Sequence, residues 1–192
     1  MYARCVLRRL AASALLPLCG PAVVRAAEVD IAPLFEQAIR EQRTGAARKT
    51  KPVDVRPARA GEVVVTIIAG EGKETQSPPA EAGDMVVRNR CSETGNEEIL
   101  VRKAKFAERY EGPLGPAASD GWAAYRPRGN EMLYFVVRLD GGTFSFTAPW
   151  GEPMVARPGD AIVRNPSDPK DTYRIAAAAF ACTYEVVQPP RG

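Results

Sequence analysis

Apolar residues near the start of the chain recur at helical spacing. After Asp30, five of them share one helical face: Ile31, Leu34, Phe35, Ala38 and Ile39. An aspartate can cap the first turn of a helix, and Gly45 is a common stop signal. The pattern predicts one helix over residues 30–44, whose apolar face either packs on the body of the protein or docks a partner.

From residue 51 onward, short runs rich in β-branched and aromatic residues alternate with glycine and proline. Strands are predicted at residues 62–68, 85–87, 98–101, 132–137, 143–147, 161–163 and 172–175. Asp140-Gly141-Gly142 separates two of these runs and predicts a β-hairpin. The predicted fold is mainly β, with two similar small barrel-like or roll-like units, each with a short helix, after the N-terminal helix.

Two short blocks occur twice in the same order. Residues 82–89 match residues 158–165 at five of eight positions. Residues 106–111 match residues 180–185 at four of six positions, and the two offsets, 76 and 74 residues, are nearly equal. The matches indicate tandem domains or one pseudo-symmetric domain, because two copies are too few for a solenoid.

The repeat divides the chain into segments. Residues 27–50 are predicted to form the N-terminal helix and a basic linker. The first β-rich repeat is predicted at residues 51–112 and the second at residues 125–192, joined by a linker at residues 113–124. We expect the repeats to pack on each other, because a lone unit of this size buries only ~60% of its surface on folding.

The residue types of the repeated blocks indicate structural roles. Gly83-Asp84 and Gly159-Asp160 each precede a strand, where glycine supplies a backbone angle that other residues resist and aspartate caps free N–H groups of the turn. In the second block, a phenylalanine and a tyrosine lie four residues apart and share one side of a helical turn. A short helix before a closing strand is therefore predicted at both aromatic pairs: Phe106 and Tyr110, and Phe180 and Tyr184.

Four polar residues end the two repeated strands: Arg88, Asn89, Arg164 and Asn165. They either form a polar ligand surface or serve as turn and edge residues that fix the fold. The second interpretation is favoured, because a shared fold explains residues kept in both copies without a shared ligand.

The first 26 residues have the three-part layout of a secretory signal peptide. An opening with three arginines precedes an uncharged, mostly apolar run at residues 10–24, and Val24-Arg25-Ala26 has the small-x-small pattern that signal peptidase cleaves. Cleavage near Ala26 predicts a periplasmic or secreted protein with no stable membrane span, since a spanning helix needs roughly 20 apolar residues. Lipidation at Cys19 is the weaker alternative, because the preceding Leu18 is unsuited to it.

Export would leave two cysteines, Cys91 and Cys182, in an oxidising compartment. They form either a single disulfide or two buried thiols, and the sequence does not decide between these. A reactive thiol is disfavoured, because no histidine is present to activate it.

The absence of histidine excludes histidine-dependent catalytic triads and histidine-based zinc or iron sites. We predict no catalytic residue, no metal and no cofactor. Residues 1–26 hold four of the 26 basic residues and none of the 23 acidic ones, so the remainder has a net charge of −1. This near-neutral charge gives no support for nucleic-acid binding. The basic residues Arg48, Lys49 and Lys51 are interpreted as a solvated linker.

The two tryptophans, Trp122 and Trp150, lie in loops rich in glycine and proline. Tryptophan is enriched at binding hot spots, so these rings are the best sequence-based clue to a partner. The alternative, which we favour, is that each ring covers the end of a small barrel, since large apolar rings are mostly buried.

Together these motifs resemble the bacterial PGDYG-type domain and a related small phage-protein domain that ends Phe-x-x-x-Tyr-Glu. The matching residues are Lys51-Pro52-Val53, the two Gly-Asp pairs and the two Phe-to-Glu ends at 106–111 and 180–185. The family's Tyr-Gly after the aspartate is Met85-Val86 in the first copy and Ala161-Ile162 in the second. The resemblance implies a compact β-rich domain over most of residues 51–187 and supplies no catalytic residues.

The sequence therefore favours an exported, non-catalytic binding or structural module of the bacterial envelope, with an envelope protein as one candidate partner. The alternative is a cupin-like, metal-independent isomerase or lyase that acts on a small molecule or sugar. Residues 151–166 are faintly similar to the second cupin motif, although Ile162 and Pro166 replace its metal-binding histidine and its final asparagine. A deep polar pocket in one repeat would favour the enzyme, and a shallow apolar surface the binding module.

Overall fold

The computed structural model describes residues 26–191, so the predicted signal peptide lies almost entirely outside the described residues. The helices are α1 (Ile31–Arg40), α2 (Lys103–Arg109) and α3 (Ala177–Thr183), with a short 3-10 helix at Ser92–Thr94. The strands are β1 (Ala27–Glu28), β2 (Gly45–Lys49), β3 (Val53–Pro57), β4 (Val65–Ile68), β5 (Gly72–Gln76), β6 (Met85–Asn89), β7 (Glu98–Val101), β8 (Tyr110–Glu111), β9 (Ala123–Pro127), β10 (Glu131–Val136), β11 (Phe144–Thr147), β12 (Pro153–Ala156), β13 (Ala161–Asn165), β14 (Asp168–Ile175) and β15 (Tyr184–Gln188).

Two five-stranded antiparallel sheets form the body of the protein. Their strand orders are β7-β6-β3-β9-β8 and β14-β13-β10-β2-β15. A three-stranded sheet, β1-β11-β12, and the hairpin β4-β5 complete the fold. The sheets are curled and strand is the dominant secondary structure, so the prediction of a mainly β fold is confirmed.

Strand β2 lies inside the second sheet, although it precedes every other strand of the two large sheets in the chain. It pairs with β10 on one side and β15 on the other. Its small residues permit this: a Cβ on Gly45 would lie only 2.3 Å from the Gln188 carbonyl oxygen, and Ala47 is fully buried. The interpretation of this basic run as a solvated linker is therefore wrong, because backbone pairing and small residues outweigh the charge of Arg48 and Lys49.

The junction between the predicted repeats also differs from the expectation. Strand β9 (Ala123–Pro127) begins within the last two residues of the predicted linker and extends into the predicted second repeat, but it pairs with β3 and β8 of the first sheet. The second sheet correspondingly takes in β2, which Thr50–Pro52 separate from β3 of the first sheet. The predicted boundaries at residues 51 and 125 thus do not separate the two sheets.

The N-terminal helix forms where the apolar spacing predicts it, but it ends at Arg40 and not at residue 44. The Asp30 carboxylate accepts a hydrogen bond from the backbone N–H of Ala32 (3.0 Å) and caps the first turn. Phe35 and Ala38 are fully buried on the body of the protein. Gly45 starts a strand four residues after the helix cap, which explains why the chain leaves helical geometry early.

The hairpin predicted around Asp140-Gly141-Gly142 does not form. A turn is present, since the Gly141 N–H bonds to the Arg138 carbonyl oxygen, but its two flanking strands diverge. Strand β10 pairs with β13 and β2, whereas β11 pairs with β12 and β1. The turn residues specify a change of direction and not the pairing partner, which the surrounding sheets provide.

The two Gly-Asp pairs form matching turns. Gly83 and Gly159 have φ angles of +91° and +92°, which favour glycine. Asp84 accepts hydrogen bonds from the backbone N–H groups of Glu81 and Lys103, and Asp160 accepts them from Arg157 and Ala177. Each aspartate therefore closes its own turn and binds the start of the following helix.

The two Phe-x-x-x-Tyr blocks form the predicted helix-to-strand transitions. Helices α2 and α3 contain the phenylalanines, and β8 and β15 begin at the tyrosines. The ring centroids of Phe106 and Tyr110 are 5.3 Å apart, and those of Phe180 and Tyr184 are 5.2 Å apart, in stacked geometry. The segments from β6 to β8 and from β13 to β15 thus each contain two strands, an α-helix and a third strand in this order.

None of the helices between residues 26 and 191 has the length and apolar character needed to cross a lipid bilayer.

Candidate functional site

A cavity of about 760 Å³ is lined by residues of both five-stranded sheets, the hairpin β4-β5 and helices α2 and α3. This volume is in the range of small-molecule sites, which are mostly apolar with a few polar groups. Its polar and charged lining includes Lys49, Glu74, Asn89, Glu97, Lys105, Arg109, Tyr110, Asn165, Asp171, Tyr173, Arg174 and Tyr184. Its apolar lining includes Ile99, Met132, Trp150, Met154, Ile175, Ala176 and Ala179.

One polar wall is a hydrogen-bonded chain that ends at a lysine. The Asn89 amide donates to Glu97 Oε1 (2.6 Å), and its oxygen accepts from Lys49 Nζ (2.5 Å). The Thr94 hydroxyl contacts the second oxygen of Glu97, and both of these residues are buried. Lys49 Nζ also donates to the Tyr110 hydroxyl at 3.4 Å.

A second wall centres on Asp171. Arg109 pairs with its carboxylate, and Lys105 Nζ lies 3.3 Å from both Asp171 and Asp168. Burial opposes ionisation of Asp171, but the two neighbouring cations outweigh it and hold the pKa of this carboxyl below its ordinary value. Helix α2 of the chain thus places the cations Lys105 and Arg109 next to β14 of the second sheet, where acidic residues of that strand neutralise them.

The third polar group surrounds Arg174, whose side chain is fully buried. Its guanidinium donates to Asp160 (2.7 Å), Glu74 (2.7 Å) and Glu71 (2.6 Å). Burial raises the pKa of Glu74 to about 7, and the nearby Glu97 carboxylate adds to this, although Arg174 opposes it. Glu74 therefore titrates near neutral pH at the wall of the cavity.

Aromatic residues form another part of the lining. Trp150 packs against Tyr173 with ring centroids 6.3 Å apart, and its indole N–H donates to the Thr75 hydroxyl (3.3 Å). Burial raises the pKa of Tyr184 well above its ordinary value, with the neighbouring Tyr173 and Tyr110 adding to the effect. Tyr184 consequently stays a neutral phenol near neutral pH.

Of the four repeated polar residues, Asn89 and Asn165 line the cavity but have different partners. Asn89 links Lys49 to Glu97, as described above. The Asn165 oxygen accepts from the N–H (3.0 Å) and hydroxyl (2.8 Å) of Ser167 and shapes the turn between β13 and β14. The turn-residue interpretation fits Asn165, whereas Asn89 belongs to the polar wall.

Arg88 lies outside the cavity lining, beside Trp122. Its guanidinium carbon is 4.2 Å from the Trp122 ring centroid, and that of Arg56 is 5.3 Å from it. Arg88 also pairs with Asp54 at 3.3 Å. Trp122 thus rests on two arginines and covers the first sheet, and it contributes nothing to the cavity lining.

Arg164, the repeated counterpart of Arg88, is buried beneath helix α1. It stacks 4.0 Å from the Phe35 ring centroid and bonds to Glu36 (2.5 Å) and Thr172 (3.0 Å). These contacts attach the N-terminal helix to the second sheet. The two arginines are therefore structural residues, each stacked under an aromatic ring that precedes β9 or β2 in the chain.

The two cysteines of the described chain form a disulfide. Cys91 and Cys182 pair with Cα atoms 6.0 Å apart and link the 3-10 helix region to α3. Glu93 completes a group of three possible metal ligands with them, all within 4.8 Å. A thiolate is the sulfur form that binds a metal, so the paired cysteines lack this donor.

Sequence reasoning missed the charged residues of the cavity. The sequence pattern places Lys49 in a linker and indicates no role for four further residues: Glu74, Lys105, Arg109 and Arg174. A signal existed for one further pair, because Glu97 and Asp171 each lie nine residues before the phenylalanine of the repeat. An acidic residue at the same place in both repeated segments indicates that each segment has a buried carboxylate at this position.

The raised pKa of Glu74 predicts a pH-dependent stability. A carboxyl with a folded-state pKa of about 7 and an ordinary value of 4.5 stabilises the fold fully below pH 4.5, and this contribution is lost as the pH rises through 7. Glu74→Gln keeps an acceptor for Arg174 but does not titrate. The free energy of unfolding of Glu74→Gln minus that of wild type should therefore be about 3 kcal/mol larger at pH 8 than at pH 4.5.

Urea unfolding at both pH values checks this difference, with the exposed Glu81→Gln as the control for loss of a carboxylate. A Glu74→Gln effect that is the same at both pH values would contradict a near-neutral pKa.

No protein-family model, curated protein or solved structure matches this chain.

Proposed function

We propose that this protein is an exported, non-catalytic binding protein that holds a small organic molecule in the cavity lined by its two large sheets. The cavity of about 760 Å³ carries the proposal. Export is supported by the predicted signal peptide and by the disulfide between Cys91 and Cys182, which suits an oxidising compartment.

The positions of the two tryptophans support binding of a small molecule in the cavity over docking of a protein partner on the surface. Of the two tryptophans, Trp122 rests on Arg56 and Arg88, and Trp150 faces the cavity. Neither ring is therefore a free hot spot on the surface. A molecule in the cavity would instead contact Trp150 together with residues from both sheets.

We further propose that the two halves are copies of one PGDYG-like unit. The Glu185–Arg48 and Glu111–Arg126 ion pairs support this, because they occupy matching places beside Tyr184 and Tyr110. The matching Gly-Asp turns support it as well. In such an arrangement, β2 and β9 would each lie in the sheet of the other copy, and this exchange would bring both copies to one shared cavity.

A cavity-filling variant tests the proposed function. Ala179 is buried at the cavity wall, whereas Ala178 on the same helix is exposed. The apolar dye N-phenyl-1-naphthylamine serves as the probe, with fluorescence titration as the measurement. Ala179→Leu should weaken dye binding at least about tenfold, because the added side chain occupies the space of the dye, and Ala178→Leu should leave binding unchanged.

The outcome that contradicts a binding cavity is equal dye binding by wild type and Ala179→Leu, or no dye binding by the wild type. Thermal unfolding of both variants checks that each is folded before titration.

A second candidate function is metal-independent acid–base catalysis on a small molecule. The observation that favours it is the pair Glu74 and Glu97, two carboxyls at one cavity, of which Glu74 has a pKa of about 7. Incubation of wild type and Glu74→Gln with a metabolite mixture distinguishes the two functions. Consumption of a compound by wild type alone would support catalysis, and retention of a compound by both without turnover would support binding.

A further inference from the structure

We propose that the cavity takes an amphipathic monoanion, whose acidic group binds Lys49 and Tyr110 and whose apolar body lies against Trp150 and the neighbouring apolar lining. This inference rests on the proposed small-molecule binding and adds the chemical class of the ligand.

Lys49 is the cation that a ligand can neutralise. An ammonium group has three N–H donors. Its two contacts in the described part of the chain are with uncharged acceptors, the Asn89 amide oxygen (2.5 Å) and the Tyr110 hydroxyl (3.4 Å). No carboxylate of residues 26–191 lies within ion-pair distance of it, so one N–H and the full positive charge remain available at the cavity.

The other cations of the cavity wall already have acidic partners. Lys105 and Arg109 pair with Asp171, Arg174 pairs with Glu74, and Arg102 pairs with Asp84. Their charges are balanced before a ligand enters. A ligand anion therefore gains most from contact with Lys49.

The position of Lys49 is also specific to one side of the cavity. In the second sheet, Tyr184 lies opposite Lys49 in the strand register. In the first sheet, the matching tyrosine, Tyr110, lies opposite Pro127, which has no charge. A lysine thus lies opposite the tyrosine in the second sheet and not in the first, which favours a ligand with a single acidic end.

Tyr110 supplies a second donor at the same place. Its oxygen accepts from Lys49, and within the described residues its own O–H donates to no acceptor. The hydroxyl proton is therefore free to bond to the same anionic group as Lys49. Two donors that converge on one point are the usual way in which a carboxylate or sulfonate is fixed in a pocket.

The rest of the lining selects against a multiply charged ligand. Additional negative groups would find no second cation without an acidic partner in the lining formed by residues 26–191, and the Glu97 carboxylate, which has no ion pair there, would repel them. Trp150, Met132, Met154 and Ile175 instead offer apolar surface to an uncharged body. The preferred ligand therefore has one acidic group and an apolar remainder, and inorganic phosphate or a nucleotide is disfavoured.

Two dyes that differ by one acidic group test this inference. 1-Anilinonaphthalene-8-sulfonate contains the rings of N-phenyl-1-naphthylamine together with a sulfonate. Lys49→Met should weaken binding of the sulfonate dye at least about tenfold and leave the neutral dye unchanged, because only the first dye uses the ammonium group. Lys73→Met, which removes an exposed lysine of β5 outside the cavity lining, is the matched control.

The outcomes separate this inference from the proposed function. If both dyes bind the wild type and Lys49→Met binds the sulfonate dye equally well, the proposed anion-binding site at Lys49 and Tyr110 is wrong and the cavity proposal stands. If neither dye binds the wild type, both proposals are wrong. If Lys49→Met does not fold, Tyr110→Phe replaces it. This variant should weaken the affinity for the sulfonate dye about threefold to tenfold and leave the affinity for the neutral dye unchanged. Equal binding of the sulfonate dye by Tyr110→Phe and wild type would overturn the proposed anion-binding site.

Discussion

Asp160→Ala should lower the free energy of unfolding by about 3–5 kcal/mol, because it removes one partner from a buried ion pair. Asp160 is 2% exposed, and it bonds to the fully buried Arg174 as well as to two backbone N–H groups. Without it, Arg174 keeps two acidic partners among residues 26–191, Glu71 and Glu74, and Glu74 is protonated for part of the time near neutral pH.

The matched control is Asp84→Ala, which breaks the same type of turn in the first half. The arginine that pairs with Asp84, Arg102, has a side chain that is 39% exposed, so water can replace the lost partner. A smaller loss of about 1–2 kcal/mol is expected there. Urea unfolding followed by tryptophan fluorescence measures both, and equal losses would show that the turn alone, and not the buried charge, sets the effect.

Reduction of the Cys91–Cys182 disulfide should destabilise the protein by about 4 kcal/mol. The bond closes a loop with a sequence separation of 91 residues, and loop entropy lost from the unfolded chain grows with the length of the loop. It also joins the two large sheets, since Cys91 follows β6 of the first sheet and Cys182 lies in α3, between β14 and β15 of the second. Unfolding in urea with and without dithiothreitol measures the change.

The double variant Cys91→Ala/Cys182→Ala is the control for this measurement. Dithiothreitol should not alter its stability, because it has no disulfide to reduce. If Cys91 and Cys182 of the purified, non-reduced protein both react with an alkylating reagent, or if the reductant leaves the wild-type stability unchanged, the expected contribution of the bond is wrong.

The local elements of this fold were predictable from sequence, whereas their long-range pairing was not. The Gly-Asp turns and the Phe-x-x-x-Tyr transitions depend on neighbouring residues, and both form as expected. The pairing of β2 with β10 and β15 depends on residues far away in the chain. A basic run such as Arg48-Lys49 carries no information about such partners, so its pattern resembles that of a solvated linker.

The candidate site was hidden for the same reason. Lys49 approaches Asn89 and Tyr110 only because the second sheet takes up β2. Of the predicted binding residues, Asn89, Asn165 and Trp150 line the cavity. Arg88 instead stacks on Trp122, and Arg164 stacks on Phe35. Sequence spacing identifies repeated residues, but it does not reveal which of their side chains face one another.

The position of β2 between β10 and the edge strand β15 has a consequence for the order in which the chain folds. Residues 53–127 contain every strand of the first sheet, so this sheet can form as soon as they are available. The second sheet requires β2 between β10 and β15, and the pairing of Glu185 with Arg48 spans most of the chain. Contacts of such high sequence separation slow folding. Strand β2 can therefore pair along one edge only after β10 is present, and along its other edge only after residues 184–188 of β15 are present.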